Sequence, residues 1–189
     1  MHKILLIDHN DSFTYNLVQL LNECGVSEVT VVSYDDLDLS KTKIYSHILL
    51  SPGPGLPEEY EKTLHLIKHN NQASILGVCL GHQCIAVALG AKLRHVEKPL
   101  HGHISEIEIL NSDSLFKGII NFKAGRYHSW VVDESSLPAG LIVSARSLDD
   151  NHIMALQHNE NNLFGVQFHP ESYMTESGKM IIKNWLEMK

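Results

Sequence analysis

The sequence predicts an α/β fold: a mostly parallel sheet with helices on its faces, followed by additional antiparallel strands in the second half. Three observations predict it. Short apolar runs alternate with helix-period segments through the first ninety residues. One of those runs ends in a Pro/Gly loop, at the strand end where open α/β sheets place their ligands. After Gly90 the texture changes to alternating polar and apolar residues between polar loops.

Residues 3–7 form an apolar run ending at Asp8 and read as a buried strand. His9-Asn10-Asp11 is a turn cluster, and Asp11 or Ser12 is a plausible N-cap for the helix that follows. Phe13, Leu17, Leu20, Leu21 and Cys24 recur at helical spacing, with Gly25 as the stop. Residues 29–32 and 48–50 are two more strands. The second runs into Ser51-Pro52-Gly53-Pro54-Gly55. A helix is expected from about Pro57 to Asn70, with Tyr60, Leu64 and Ile67 on one face and acids in its first turn. Ile75, Leu76 and Val78 form the next strand, and residues 85–89 the body of the next helix. In the second half, Ile107 and Ile109 alternate with Glu106 and Glu108 as a half-exposed strand. Strands are also expected at 141–143, 152–157 and 163–168. The chain closes on an amphipathic helix whose stripe is Met180, Ile181, Trp185 and Leu186. No linker, repeat or low-complexity tract interrupts it, so residues 1–189 are read as one domain.

The composition narrows the class. A chain of 189 residues can bury a sizeable core. Its formal net charge of -7 argues against nucleic acid and anionic membrane surfaces as partners. No apolar run approaches the roughly 18 residues of a spanning helix, and the start has no signal-peptide layout. Three cysteines without paired spacing point to a reducing compartment, hence the cytoplasm. The thirteen histidines are scattered, and no structural metal is expected from them.

The chemistry concentrates at Gly77-Val78-Cys79-Leu80-Gly81-His82-Gln83. Strand, sharp turn and helix meet there, in the cysteine form of a nucleophile elbow. Gly77 and Gly81 let strand and helix approach closely. The turn projects the sulfur of Cys79 from a strained backbone, and a helix N-terminus favours negative charge on it. The Leu80 amide then points where an oxyanion would form. An isolated cysteine is usually an inert core residue, and Cys24 and Cys84 fit that description.

A second piece is Gly165-Val166-Gln167-Phe168-His169-Pro170-Glu171-Ser172. His169 and Glu171 are two apart, so in an extended chain both side chains share a side. Glu171 can hold one ring nitrogen while the other faces the Cys79 thiol. A third piece is the loop from Ser51 to Gly55, whose Gly53 amide is the candidate second oxyanion donor. Taken alone, the His-Pro-Glu run reads as a polar strand end and the loop as an ordinary turn. Three pieces together read as a site.

These motifs, in this order, resemble those of the class I (triad) glutamine amidotransferases. Residues 7–16, Ile-Asp-His-Asn-Asp-Ser-Phe-Thr-Tyr-Asn, and Gly125-Arg126-Tyr127-His128-Ser129-Trp130 resemble the glutaminase subunit, component II, of anthranilate synthase and aminodeoxychorismate synthase. Two positions depart from the family pattern: His103 stands where lysine is typical, and Tyr173 where a small aliphatic residue is usual.

The resemblance implies a flavodoxin-like fold and a Cys79-His169-Glu171 triad. It implies an oxyanion hole from the Gly53 and Leu80 amides, and a glutamine pocket from Gly53, Pro54, Gly55, Leu80, Gln83, Ser129 and Trp130. The implied reaction is hydrolysis of L-glutamine, with ammonia passed to a chorismate-binding synthase subunit, component I, that makes anthranilate for tryptophan. The same chemistry could serve aminodeoxychorismate on the folate route, or both. No cofactor is implied in this chain, with magnesium expected in the partner. The competing readings are a stand-alone γ-glutamyl hydrolase and a non-catalytic subunit, and the intact motifs weigh against both.

Overall fold

Strand β1 (Ile4–Asp8) shows why this sheet is covered on both faces. Ile4 and Leu6 pack into one apolar cluster, and Leu5 and Ile7 into another. Successive side chains leave a strand on opposite sides, so an unbroken apolar run needs a layer on each face. The same division recurs in β3 (His47–Leu50), where Leu49 faces one cluster while Ile48 and Leu50 face the other. The structure, a computed structural model, describes residues 2–70, 72–158, 160 and 162–188.

Between β1 and β3 come α1 (Thr14–Glu23) and β2 (Val29–Ser33). After β3 come α2 (Glu61–His69), β4 (Ser74–Val78) and α3 (Leu80–Ala88). The second half supplies β5 (Leu93–His95), β6 (His103–Ile109), β7 (Phe122–Arg126), β8 (Trp130–Val132), β9 (Leu141–Ser147), β10 (Ile153–His158) and β11 (Leu163–Val166). The last described element is α4 (Gly178–Leu186).

Among the described residues, nine strands form one sheet in the order β2-β1-β3-β4-β11-β10-β9-β6-β7. The first five are parallel, in the doubly wound order of flavodoxin-like sheets. The remaining pairs are antiparallel. Strand β11 is the pivot: parallel to β4 on one side, antiparallel to β10 on the other. Strands β5 and β8 form a separate antiparallel pair. The predicted α/β class, with a parallel half and an antiparallel half, is the observed one.

Leu17 and Leu21 of α1 and Ile181, Ile182 and Trp185 of α4 belong to the first cluster. Leu66 and Ile67 of α2 and Leu80, Cys84 and Ile85 of α3 belong to the second. The cavities left by truncating such side chains cost about 2–5 kcal/mol each, so these helices are held by burial rather than by propensity.

Several local expectations are corrected. The segment from Pro57 is not one helix. A 3-10 turn, Pro57–Glu59, is separated from α2 by Tyr60, whose backbone angles (φ -114°, ψ 53°) break the helix. Neither Asp11 nor Ser12 caps α1. The Asp11 carboxylate accepts from the Phe13 amide at 2.8 Å, before the helix begins. Met180 is 48% exposed and leaves the apolar stripe of α4. Strands β5, β7 and β8 have no counterpart among the expected elements.

Candidate active site

The elbow is built by steric exclusion. Cys79 sits between β4 and α3 at φ 52°, ψ -100°, a region side chains rarely occupy. Its amide donates to the Val166 carbonyl of β11 at 2.8 Å, and its carbonyl accepts from Gln83 N at 3.1 Å. A Cβ on Gly77 would overlap the Gly81 carbonyl, and one on Gly81 would lie 2.6 Å from the Leu50 carbonyl oxygen. Only glycines let α3 start this close to the sheet.

The loop from Ser51 to Gly55 is threaded between the end of β1 and the elbow. A Cβ on Gly53 would lie 2.7 Å from the His9 carbonyl oxygen and 2.8 Å from Leu80 Cδ2. Gly53 and Leu80, the two predicted oxyanion donors, are therefore neighbours. Three side chains hold this loop. Tyr60 Oη donates to the Pro54 carbonyl at 2.9 Å, which explains why Tyr60 is spared from the helix. The Glu59 carboxylate accepts from Leu56 N at 2.7 Å. His9 is fully buried, and its Nδ1 lies 3.2 Å from the Ser51 carbonyl. A carbonyl only accepts, so Nδ1 carries the proton and Nε2 accepts from Thr63 Oγ1 at 2.9 Å. Burial pushes the His9 pKa down to about 4, outweighing the Ser51 carbonyl and Asp8.

His169 and Glu171 meet as predicted, but across a turn rather than along a strand. Strand β11 stops at Val166, and Ser172 N closes the turn onto the His169 carbonyl at 3.2 Å. His169 Nδ1 lies 2.6 Å from Glu171 Oε1, with the ring side chain 4% exposed and the carboxylate side chain at 0%. Thr175 Oγ1 donates to the His169 carbonyl at 2.6 Å, and His169 N donates to the Gly125 carbonyl at 3.1 Å. Burial alone would lower the His169 pKa. The Cys79 thiol and the Glu171 carboxylate beside the ring outweigh it and hold it well above the usual histidine value. Nε2 makes no contact short enough to be a hydrogen bond among the described residues. Such pairs tighten when substrate arrives.

A cleft of about 320 Å³ opens at the sulfur, lined by Cys79, Leu80, Gln83, Gly53, Gly55, Leu56 and residues 127–130. Of the predicted pocket residues only Pro54 is absent from its wall. The Gln83 side-chain amide donates to the Trp130 carbonyl at 3.0 Å and to Gln167 Oε1 at 3.1 Å. Both its N–H groups are committed, so what it can offer a ligand is its oxygen. The Ser129 carbonyl already accepts from Val96 N at 2.9 Å. Three larger clefts, of about 450, 610 and 380 Å³, lie one beside α2 and two beside α4, and hold none of the predicted residues.

Other residues at the site carry no role in the sequence reading. Phe13, expected on the apolar face of α1, is 38% exposed and lies 6.0 Å from the His169 ring, centroid to centroid. Tyr127 packs edge-on at 5.0 Å from the same ring. Arg126 is fully buried and donates to Ser105, Ser147, Asp150 and His128 at 2.9–3.1 Å. A guanidinium cannot accept, so His128 Nε2 is the bare nitrogen. Burial and the Arg126 charge push the His128 pKa down to about 3. The signal available in the sequence was the Gly125–Trp130 run itself; apart from the Arg126–His128 bond within it, the partners of Arg126 lie about twenty or more residues away.

Metal ligation has little to build on. His65 and His69 do stand at the i,i+4 spacing of helical ligands, with rings 4.0 Å apart. His69 Nδ1 is taken by the His65 carbonyl at 2.9 Å. Among the described residues no group of three or more His, Cys, Asp or Glu could hold an ion. No described helix is long and apolar enough to cross a membrane.

The cysteine elbow and the Gly53 loop line one cleft, and the buried His169–Glu171 pair lies beside the Cys79 thiol. The sequence profile of the family described as glutamine amidotransferase class-I matches residues 5–188. The chain belongs to this family. As a class I glutamine amidotransferase, it is 46% identical over 195 residues to anthranilate synthase component 2 of Saccharolobus solfataricus, covering 98% of each chain. It is 43% identical over 187 residues to aminodeoxychorismate synthase component 2 of Escherichia coli, covering 97% of this chain and 98% of the other. It is 45% identical over 194 residues to the bifunctional protein TrpGD of Thermotoga maritima, covering 100% of this chain but 33% of that longer protein. Among solved structures, a Thermoplasma acidophilum protein described as a candidate GMP synthase subunit superposes with a TM-score of 0.86. The two are 26% identical, over 98% of this chain and 92% of the other.

Proposed function

We propose that this amidotransferase hydrolyses L-glutamine at Cys79 and passes the ammonia to a chorismate-binding synthase subunit, component I, that makes anthranilate. The observation that carries the reading is the convergence of Cys79 at the elbow with the His169–Glu171 pair, beside a cleft walled by Gly53, Leu80 and Gln83. Cys79 gives its proton to His169 and attacks the carboxamide carbon. The amides of Leu80 and Gly53 hold the oxyanion, each worth about 3 kcal/mol in comparable sites. His169 passes the proton to the leaving ammonia. Water, giving its proton to His169, then cleaves the glutamyl thioester and releases glutamate. Glu171 orients the ring and stabilises its charged form.

The partner's reaction is the finer part of the proposal. Relatives named for anthranilate and for aminodeoxychorismate synthesis match at 46% and 43% identity, so one subunit serving both is the second reading. Magnesium belongs to the partner in either case, and the expected location is the cytoplasm.

The test mixes the purified chain with each kind of component I, chorismate and magnesium, and supplies either glutamine or ammonia. Glutamine-dependent product from one mixture assigns the pathway, and from both assigns a shared subunit. Product from ammonia but never from glutamine overturns the proposal. A Cys79→Ala chain that keeps glutamine-dependent activity overturns the mechanism.

A further inference from the structure

Gln167 lies between β11 and His169, and its side chain is fully buried. Its Nε2 stands 3.6 Å from Cys79 Sγ. Its Oε1 stands 3.1 Å from Gln83 Nε2, which also stands 3.0 Å from the Trp130 carbonyl oxygen. That last contact fixes the direction of the whole chain of bonds. A backbone carbonyl only accepts, so Gln83 must turn its NH2 toward Trp130. An NH2 cannot accept, so the end of Gln167 that meets it is the oxygen. The end left facing the sulfur is therefore the Gln167 NH2, a donor. Turning it round would set the Gln167 NH2 against the Gln83 NH2 and bring two acceptors, amide oxygen and thiolate, together.

We propose that Gln167 is a further catalytic residue, donating an N–H to the Cys79 sulfur and holding it opposite His169. The inference rests on Cys79 being the nucleophile. The donor matters most when the sulfur carries charge. It does so before attack, and again when water has added to the thioester, the C–S bond breaks and its electron pair returns to sulfur. With Cys79 8% and Gln167 0% exposed, a donor held in place by the protein stabilises that charge. Trp130 and Gln83 line the cleft, so the amide that aims Gln167 is also part of the substrate wall.

The test uses Gln167→Glu and Gln167→Met in the complex with component I. Gln167→Glu keeps the length and an acceptor for Gln83 but removes the donor from the sulfur. Gln167→Met keeps the volume and removes both bonds. Three readouts are taken: glutamine-dependent kcat and KM, ammonia-dependent product, and iodoacetamide labelling of the Cys79 peptide as a function of pH.

A hydrogen bond to a charged group corresponds to a loss of about 10- to 100-fold in kcat, with KM within about threefold. Gln167→Glu should show this, with labelling displaced to higher pH and ammonia-dependent product unchanged. Gln167→Met should shift labelling in the same direction. A kcat within about threefold of wild type in both variants, with superimposable labelling profiles, overturns the proposal. If Gln167→Glu does not fold, the labelling profile of Gln167→Met decides alone. Failure of the underlying reading looks different: there, Cys79→Ala stays active whatever stands at 167.

Discussion

Glu171 Oε1 lies 2.6 Å from His169 Nδ1, and this carboxylate is sealed from solvent while its second oxygen finds no partner among the described residues. A buried carboxylate with one bond is expensive unless a charge sits beside it. The arrangement therefore favours a protonated ring, which agrees with the raised His169 pKa. Replacing Glu171 by Gln keeps the shape and removes the charge. Glutamine-dependent kcat should fall by about 10²- to 10⁴-fold, while ammonia-dependent product formation by the complex is retained. Steady-state assays with each nitrogen source check this, and a Glu171→Gln enzyme within about threefold of wild type contradicts the role given to the carboxylate.

Tyr60 is a cleaner test of loop positioning, because its hydroxyl bonds the loop backbone rather than Cys79, His169 or Glu171. Its hydroxyl reaches the Pro54 carbonyl at 2.9 Å, and the next residue back is Gly53. Tyr60→Phe removes one neutral hydrogen bond, worth about 1 kcal/mol. Glutamine-dependent kcat/KM should drop by about 3- to 10-fold, with unfolding free energy changed by less than about 1 kcal/mol. Equal kcat/KM in the two proteins shows that the loop keeps its place without this bond.

The elbow glycines and an ordinary glycine should separate sharply in stability. A Cβ on Gly77 meets the Gly81 backbone, which cannot move aside without shifting α3. Gly77→Ala should cost more than about 2 kcal/mol, or prevent folding. Gly90 has open space around it, and its φ of +106° is the only objection to a side chain. Gly90→Ala should cost about 1 kcal/mol. Urea titrations of both variants give the comparison, and equal losses refute the steric account.

The parts of the site that were legible in the sequence are those whose chemistry is local. Gly77-x-Cys79-x-Gly81 carries its own explanation, because strand, turn and helix follow one another along the chain. What stayed hidden depends on distant partners. Phe122–Arg126 has no clean alternation, since Arg126 is a buried charge whose partners come from β6, β9 and the loop after it. Tyr60 reads as a helical core position until the Pro54 carbonyl is placed beside it. Phe13 fits a helical stripe by spacing, yet it turns to His169 because α1 begins only at Thr14. Gln167 was in plain view within its motif, but its direction follows only from Gln83 and the Trp130 carbonyl.

Acid should destabilise the fold through its buried histidines. Burial lowers His9 and His82 to about 4, and burial with Arg126 lowers His128 to about 3. All three titrate near 6.5 when unfolded. Between these values the unfolded chain binds more protons than the folded one, so stability rises with pH there. Their contribution is full above about pH 6.5 and is lost as pH falls through 4 and toward 3. Each pKa depression corresponds to on the order of 3 kcal/mol, an upper figure for groups whose surroundings relax. His169 runs the other way. Its raised pKa adds stability that is full below the unfolded value and lost as pH rises through the folded one. Its effect falls above about pH 6.5, so the slope of the acid limb below that value is left to the buried neutral rings. Urea midpoints measured from about pH 7 down to 4.5 should fall steadily, and His82→Leu should flatten the slope, since it removes one of the buried titrating rings. A midpoint that does not change over that range, or a His82→Leu slope equal to wild type, contradicts the assignment of buried neutral rings.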